Sequence, residues 1–164
     1  MRYQSFTINN YKAIKEAEID LSSEGLVLLL GINESGKTSV LRAIESFDYT
    51  NDPEAEPQLT KFYKSIRNKK ELNSTASITA KILIEKNDAE KLKEVFTSHL
   101  ADGAEKNIKS INHITVTRSF SYKNAEFVSE NYTLGQEIKS LLKPDLTSQV
   151  ETSISKNLLG KCPS

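Results

Sequence analysis

The sequence is poor in the residues that cross-link or bind zinc. Its 164 residues include one cysteine, Cys162, and two histidines, with no tryptophan. A single cysteine cannot form an internal disulfide, so we expect a reducing, cytoplasmic setting, with Cys162 as an exposed thiol in an unstructured tail. His99 and His113 stand apart, and no Cys/His group has zinc-site spacing. A disulfide scaffold and a zinc module are therefore both disfavoured.

Net charge and long apolar runs are also lacking. Lys plus Arg and Asp plus Glu each number 22, so the formal charge is zero and no global field attracts nucleic acid or membrane. The longest apolar run, Leu26 to Leu30, has only five residues, and a bilayer-spanning helix needs about 20. The first residues lack the apolar core of a signal peptide. We predict one domain of ordinary size with no membrane partner.

What the sequence does contain is a complete phosphate-binding loop. Residues Gly31 to Thr38 match the pattern G-x-x-x-x-G-K-[ST]. The apolar run Leu26 to Leu30 precedes the loop and predicts a strand buried on both faces. A helix is predicted from Gly36 to about Asp48, with one apolar face formed by Val40, Leu41, Ile44 and Phe47. Strand, glycine loop and helix are the context that phosphate binding requires.

Each residue type in the loop has a physical reason. Gly31 and Gly36 allow backbone angles that a Cβ would block, so that loop N–H groups can face an anion. Lys37 offers a positive charge to the β- and γ-phosphates, and the Thr38 hydroxyl is a ligand for Mg²⁺. The alternative is a glycine turn that merely joins a strand to a helix. The predicted cofactors are ATP and Mg²⁺, and the predicted loop contacts are Gly31, Asn33, Glu34, Ser35, Gly36, Lys37, Thr38 and Ser39.

The segments around the loop divide the chain. We predict an N-terminal lobe over residues 1–142, made of strands, loop and first helix (1–48), a polar linker with a basic segment (49–75) and a strand-helix-hairpin region (76–142). Residues 143–164 are predicted as a weak helix or frayed tail, a truncation point or the start of an insertion. The basic segment is either a nucleic-acid contact or, as we prefer, a solvated helix; it contains Lys61, Phe62, Tyr63, Lys64, Ile66, Arg67, Lys69 and Lys70.

Alternation and capping patterns predict the remaining elements. Strands are expected over Tyr3 to Ile8, broken by Asn9-Asn10, and over Ala17 to Leu21. Asn87 reads as the N-cap of a helix that extends to about Ala101, and Lys123-Asn124 as a hairpin turn. A short helix is predicted before Pro144. The other predicted strands are Ser77 to Glu85, Ile111 to Tyr122 and Glu126 to Tyr132.

The first 48 residues resemble a known group of proteins. A strand, then Asn10-Tyr11-Lys12-Ala13-Ile14, an alternating strand, and a loop containing Asn33 with Leu41-Arg42-Ala43-Ile44 after it are similar to the start of ABC-type ATPases of DNA metabolism. This group includes the RecF, SMC and OLD (overcoming lysogenization defect) families. Glu34 stands where RecF and SMC proteins usually have Gly, so the sequence looks most like OLD-type ATPases.

The resemblance carries several expectations. It implies an α/β fold, the N-terminal lobe of an ABC-type P-loop NTPase head with an added strand-helix-strand region. It also implies DNA as a partner, a homodimer formed through the heads, a role in DNA repair or phage defence, and an endonuclease domain in OLD-type relatives. By resemblance alone, Lys12 lies near the nucleotide phosphates; a solvated surface lysine is the alternative.

The acids needed for hydrolysis cannot be placed. A Walker B strand ends in Asp, often followed by a Glu that activates water. Lys81 to Glu85 comes nearest, but it fits an ordinary alternating strand better. Gln58 and Gln136 are unsupported candidates for the glutamine loop. We therefore expect an N-terminal part of a longer protein, with catalytic residues unknown and low turnover alone.

Two other functions remain open at this point. One is a self-contained small P-loop kinase or GTPase, although Asn68-Lys69-Lys70-Glu71 departs at its last position from the Asn-Lys-x-Asp that reads guanine. The other is an interaction module that binds nucleotide without hydrolysing it. The intact Gly36-Lys37-Thr38 argues against loss of the chemistry.

Overall fold

A five-stranded antiparallel sheet forms the centre of the described chain. The computed structural model describes residues 1–12, 14–22, 27–31, 36–47, 74–124 and 126–162. The strand order is β2-β1-β3-β4-β5, and every neighbouring pair is antiparallel. The strands are β1 (Arg2–Tyr11), β2 (Ile14–Asp20), β3 (Ser74–Leu83), β4 (His113–Lys123) and β5 (Glu126–Leu134).

Five α-helices accompany the sheet in the described residues. They are α1 (Lys37–Phe47), α2 (Ala89–Phe96), α3 (Glu105–Ile108), α4 (Gln136–Lys139) and α5 (Ser148–Leu159). Short 3-10 turns over Lys86–Asp88 and Thr97–His99 flank α2. Within the part of the chain that is described, no helix has the length and apolarity to cross a bilayer. The predicted helix after the phosphate loop is confirmed, with Phe47 as its last residue.

The two faces of the sheet differ in chemistry because side chains alternate along each strand. The buried face confirms the predicted inward row of β3, which consists of Ile78, Ala80, Ile82 and, just beyond the strand, Ile84. The opposite face carries hydroxyl side chains, and Thr79 and Thr117 share a hydrogen bond of 2.9 Å across β3 and β4. Lys81 to Leu83 are thus the last residues of the alternating strand β3, and Glu85, beyond its end, is exposed.

The turns at the ends of the strands are partly as predicted. β1 is not broken at Asn9-Asn10 but continues to Tyr11, and the bend comes where Asn10 and Lys12 have φ of 51° and 50°. Asn tolerates the left-handed region, so the backbone can bend at Asn10 without glycine. The hairpin turn after Lys123 is confirmed, and Asn124 has φ of 51°.

The predicted cap of α2 is wrong. Asn87 lies inside the 3-10 turn, and the capping box is formed by Glu85 and Asp88. The Asp88 carboxylate accepts the Glu85 N–H at 3.0 Å and also pairs with the α-amino group of Met1. The pair with Met1, far away in sequence, holds the Asp88 carboxylate at this position. The local sequence pattern around Asn87 therefore did not determine which residue forms the cap. Helix α2 also ends at Phe96, before the predicted Ala101.

Of the two alternatives predicted for the C-terminal segment, a weak helix and a frayed tail, the structure shows a helix, α5. Thr147 caps α5 by accepting the Val150 N–H at 3.3 Å, and Ile154, Leu158 and Leu159 are buried. The Glu151 carboxylate accepts the Leu134 N–H of the outer strand β5 at 2.6 Å. An amphipathic helix therefore covers part of an open strand edge, and this contact with β5 was not predicted from the sequence. Cys162, predicted to be exposed, is only 7% exposed.

The predicted buried strand before the phosphate loop is also wrong. Val27 to Leu30 has no regular secondary structure, and Leu28 and Leu30 are 67% and 86% exposed. No described strand pairs with this segment; β2, the nearest in sequence, pairs only with β1. A strand buried on both faces needs neighbours, and the described residues provide none. Leu41, predicted to face inward on α1, is likewise 58% exposed.

Candidate nucleotide-binding site

The start of α1 has the backbone geometry that the glycine predicts. Gly36 adopts φ of 93°, a region that L side chains rarely enter. A Cβ there would meet only Ile14, at 3.9 Å, so the backbone angle and not crowding requires glycine. The Val40 N–H donates to the Gly36 carbonyl at 3.0 Å and so begins the helical hydrogen bonding. The chain therefore turns sharply into the helix at this residue.

Lys37 connects the two ends of the loop. Its Nζ donates to the carbonyl of Gly31 at 2.5 Å, so the ammonium lies across the loop mouth. Thr38, the predicted Mg²⁺ ligand, is exposed in the first turn of α1, and Ser39 is half-buried. Asn33, Glu34 and Ser35 lie outside the described residues, so their predicted contacts stay predictions.

An open cleft of about 520 Å³ adjoins the loop. One wall is the first part of β2, and the other is formed by Leu28 to Gly31 and by α1. The cleft brings Gly31, Gly36 and Lys37 together, although Thr38, Ser39 and Lys12 are not part of its lining. Its walls combine the charged residues Lys15, Glu16 and Lys37 with aliphatic side chains, which suits a ligand with a charged and an apolar part.

The electrostatics at the start of α1 favour an anion. The first turn of α1 contains no acidic residue. Within the helix itself, the partial positive charge of the N-terminus is therefore not compensated by a carboxylate, and Lys37 adds a full charge. Glu16, on the opposite wall of the cleft, contributes a negative charge. In the described residues no three His, Cys, Asp or Glu side chains group as a metal site. A Mg²⁺ held by Thr38 would depend on phosphate oxygens and waters for its other ligands.

Lys12 lies close to the same helix. Partial burial, followed by the positive charge of Arg42 in α1, lowers the pKa of Lys12. Its Nζ is 5.6 Å from the ring centroid of Tyr11. The left-handed φ of 50° is unusual for lysine, and residues held in such regions cluster at functional sites. The predicted phosphate contact of Lys12 stays a prediction.

A group of residues at the other end of α1 escaped the sequence analysis. Arg118 of β4 is fully buried and donates to the Ser46 carbonyl, while its second terminal nitrogen is 2.7 Å from Glu130 of β5. The Tyr132 hydroxyl donates to the Phe47 carbonyl at 3.3 Å. We refer to Arg118, Glu130 and Tyr132 as the α1 clamp. It supplies donors to the last carbonyls of the helix that carries Lys37.

A sequence signal for the clamp did exist. Arg118 falls on the apolar face of a predicted strand, between Val116 and Phe120. Arginine is almost never fully buried unless it is paired, so this position called for an acidic partner. Register across β4 and β5 places Arg118 opposite Tyr132, and Glu130 opposite Phe120. The pairing of the strands was needed to identify Glu130.

The two remaining sequence candidates receive no role from the geometry. Gln136 is exposed at the start of α4, beside β5. Gln58 and the basic segment from Lys61 to Lys70 lie outside the described residues. Neither glutamine can therefore be assigned to the phosphate-binding cleft from the described part of the chain.

The glycine loop before α1 and the mixed α/β fold define the class of protein: the N-terminal lobe of a P-loop NTPase. The family model described as an AAA domain matches residues 5–159. The chain therefore belongs to the AAA domain family. The prediction of the fold class is confirmed.

A solved structure supports the fold. It comes from work on ATP-driven dimerization and DNA-stimulated activation of SMC ATPases, and it matches with a TM-score of 0.53 and 13% identity. The match covers 96% of this chain and 80% of that chain. At this identity the likeness establishes the fold alone. No curated protein matched the sequence.

Proposed function

We propose that this chain binds MgATP through Gly31 to Thr38, as the N-terminal part of an ABC-type ATPase head. One observation carries the proposal: Lys37 and Gly31 face each other across the loop mouth, at a helix N-terminus that has no acidic residue in its first turn. When a nucleotide binds, the Lys37 ammonium exchanges the Gly31 carbonyl for phosphate oxygens. Thr38 contributes its hydroxyl to Mg²⁺.

Calorimetric titration with MgATP tests the site. Lys37→Ala removes a charge-assisted hydrogen bond worth about 1.5–3 kcal/mol, so affinity should fall roughly tenfold or more. Lys106→Ala, an exposed lysine in α3 that is not part of the cleft lining, is the matched control and should bind as the wild type does. Equal affinity of Lys37→Ala and the wild type would contradict the assignment of Lys37 to the nucleotide-binding site.

We further propose that hydrolysis needs a second segment, outside these 164 residues, that packs against Val27 to Leu30. The support is the exposure of Leu28 and Leu30 in one segment and of Leu41 on α1, because exposed apolar patches mark sites of interaction. The Walker B acids that the sequence lacks would be supplied by that segment. This chain alone should turn over ATP far below the 1–100 per second typical of P-loop enzymes, at roughly background rates.

Adding the second segment in trans tests this part. Turnover should appear, should rise with the concentrations of both parts and should vanish with Lys37→Ala. High turnover by the chain alone would instead favour a self-contained P-loop kinase or GTPase. Rescue that survives Lys37→Ala would mean that the added segment has a site of its own.

The last part of the proposal concerns the biological setting: the partner, the oligomeric state, the location and the role. We propose DNA as the partner, a homodimer formed through the heads and a cytoplasmic location, with DNA repair or phage defence as the role. Within that group, the OLD-type assignment with an endonuclease depends on Asn33 and Glu34. If DNA increases ATP turnover by the completed head, DNA is supported as the partner. Turnover that DNA does not change would oppose it.

A further inference from the structure

Burial of α1 is concentrated at the end away from the phosphate loop. Ala43, Ser46 and Phe47 are its buried residues, whereas Thr38 and Leu41 are exposed. The 11 residues of α1 span roughly 16 Å at about 1.5 Å per residue. Within the described residues, the helix is thus held mainly by its last turn, while Lys37 and Thr38 project from the less anchored end.

The last turn is held by directional contacts as well as by packing. Arg118 donates to the Ser46 carbonyl and Tyr132 to the Phe47 carbonyl, both of which lack a helical partner at a helix end. The last turn of α1 has no basic residue of its own, so Arg118 supplies the positive charge that complements the helix dipole.

The guanidinium of Arg118 is itself fixed from several sides. Glu130 accepts from it at 2.7 Å, and its central carbon lies 4.7 Å from the Phe120 ring centroid and 5.4 Å from that of Tyr132. A planar, paired and stacked arginine presents its donors in a rigid direction. Two strands of the sheet therefore determine where the α1 carbonyls lie.

We propose that Arg118 and Tyr132, with Glu130 orienting Arg118, are positioning residues that fix the C-terminal turn of α1 and thereby set the geometry of the phosphate-binding turn at its other end. This inference rests on the proposed nucleotide function. A helix transmits a shift of one end to the other because its internal hydrogen bonds keep it nearly rigid. Loosening the clamp should therefore disorder the first turns of α1 and weaken nucleotide binding.

The test uses the 164-residue chain and two readouts. The first is amide hydrogen exchange of Leu41, Arg42 and Ala43 without nucleotide, which reports local opening of α1. The second is the dissociation constant for MgATP. The main variant is Arg118→Met/Glu130→Leu, because replacing a buried ion pair by apolar residues of similar volume often leaves stability unchanged. Leu92→Ala, a buried change in α2, is the control for general destabilisation.

We expect the double variant to increase exchange at the three amides and to weaken MgATP binding by roughly fivefold or more, the low end of ordinary coupling between two sites. Leu92→Ala should leave exchange at these three amides and MgATP affinity near wild-type values, although the protein is less stable. Arg118→Lys should recover part of the affinity, since it restores a charged donor. Wild-type exchange and affinity in a folded double variant would overturn the proposal.

A second variant covers the case in which the double variant does not fold. Tyr132→Phe keeps the ring and removes only the hydroxyl that donates to Phe47. It should raise exchange in the same residues by a smaller factor, and unchanged exchange would overturn the proposal. If the wild type fails to bind MgATP, the proposed function falls, while exchange in the nucleotide-free protein still decides whether the clamp orders α1.

Discussion

The two ends of α1 lie in different surroundings. At the C-terminal end, Phe47 is fully buried and makes edge contacts with Phe6 and Tyr132, at centroid distances of 5.5 and 6.4 Å. At the N-terminal end, Lys37 faces an open cleft beside the exposed leucines Leu28 and Leu30. The difference teaches that one helix serves two purposes. Its closed end belongs to the core of this lobe, and its open end is where we propose that nucleotide binds and that a further segment packs.

The largest expected effect is the difference in stability between a Leu→Ala substitution at a buried position and the same substitution at an exposed position. Leu158→Ala removes a fully buried side chain from α5 and should lower the free energy of unfolding by about 2–5 kcal/mol. Leu41→Ala, at the exposed end of α1, should change it by no more than about 0.5 kcal/mol. Urea denaturation of both variants measures the difference. Similar losses would mean that the open side of α1 is part of the core.

A smaller effect should follow from the buried carboxylate of Asp88, which lies just before α2. Burial raises the pKa of Asp88, but hydrogen bonds from the Met1 ammonium and the Glu85 N–H outweigh it and hold the pKa below its ordinary value. Asp88→Asn should cost about 1.5–3 kcal/mol at neutral pH, the value of hydrogen bonds to a charged group.

The pH dependence of that cost has a definite sign. A carboxylate with a lowered pKa in the folded state stabilises the protein above its unfolded pKa, about 3.9, and loses this contribution as pH falls through the folded value. The stability gap between wild type and Asp88→Asn should therefore be full above about pH 5 and shrink below pH 4. Asp102→Asn, at an exposed aspartate, is the control and should show no such gap.

The smallest expected effect distinguishes the contribution of Lys12 to stability from its contribution to nucleotide binding. Lys12→Gly relieves the left-handed φ of 50° and should change the free energy of unfolding by less than about 1 kcal/mol, with stabilisation if strain dominates. If Lys12 contacts the phosphates, MgATP affinity should nevertheless fall. Lys123→Gly, at the exposed end of β4, is the control, because it should weaken the strand without affecting affinity beyond that. Unchanged affinity of Lys12→Gly would favour a surface role.

Local patterns along the chain determined much of the fold. Alternation predicted β3 and β4, the glycine at 36 predicted the sharp entry into α1, and Asn124 predicted the hairpin turn. In each case a residue interacts with its neighbours in sequence or with a single side of a sheet, so the periodicity or the backbone preference suffices. The phosphate-loop pattern also identified Gly31, Gly36 and Lys37 as one group, which the cleft brings together.

Only the tertiary structure decided the features that depend on partners far along the chain. Glu130 meets Arg118 because β4 and β5 pair in one register, and the Asp88 carboxylate takes part in the capping box of the 3-10 turn before α2 while it pairs with Met1, 87 positions away. The segment Val27 to Leu30 has the pattern of a central strand, yet it is exposed because a strand becomes buried only when others lie beside it. Sequence determines what a segment can become, whereas its neighbours in space determine whether it does, since burial and pairing are properties of two surfaces together.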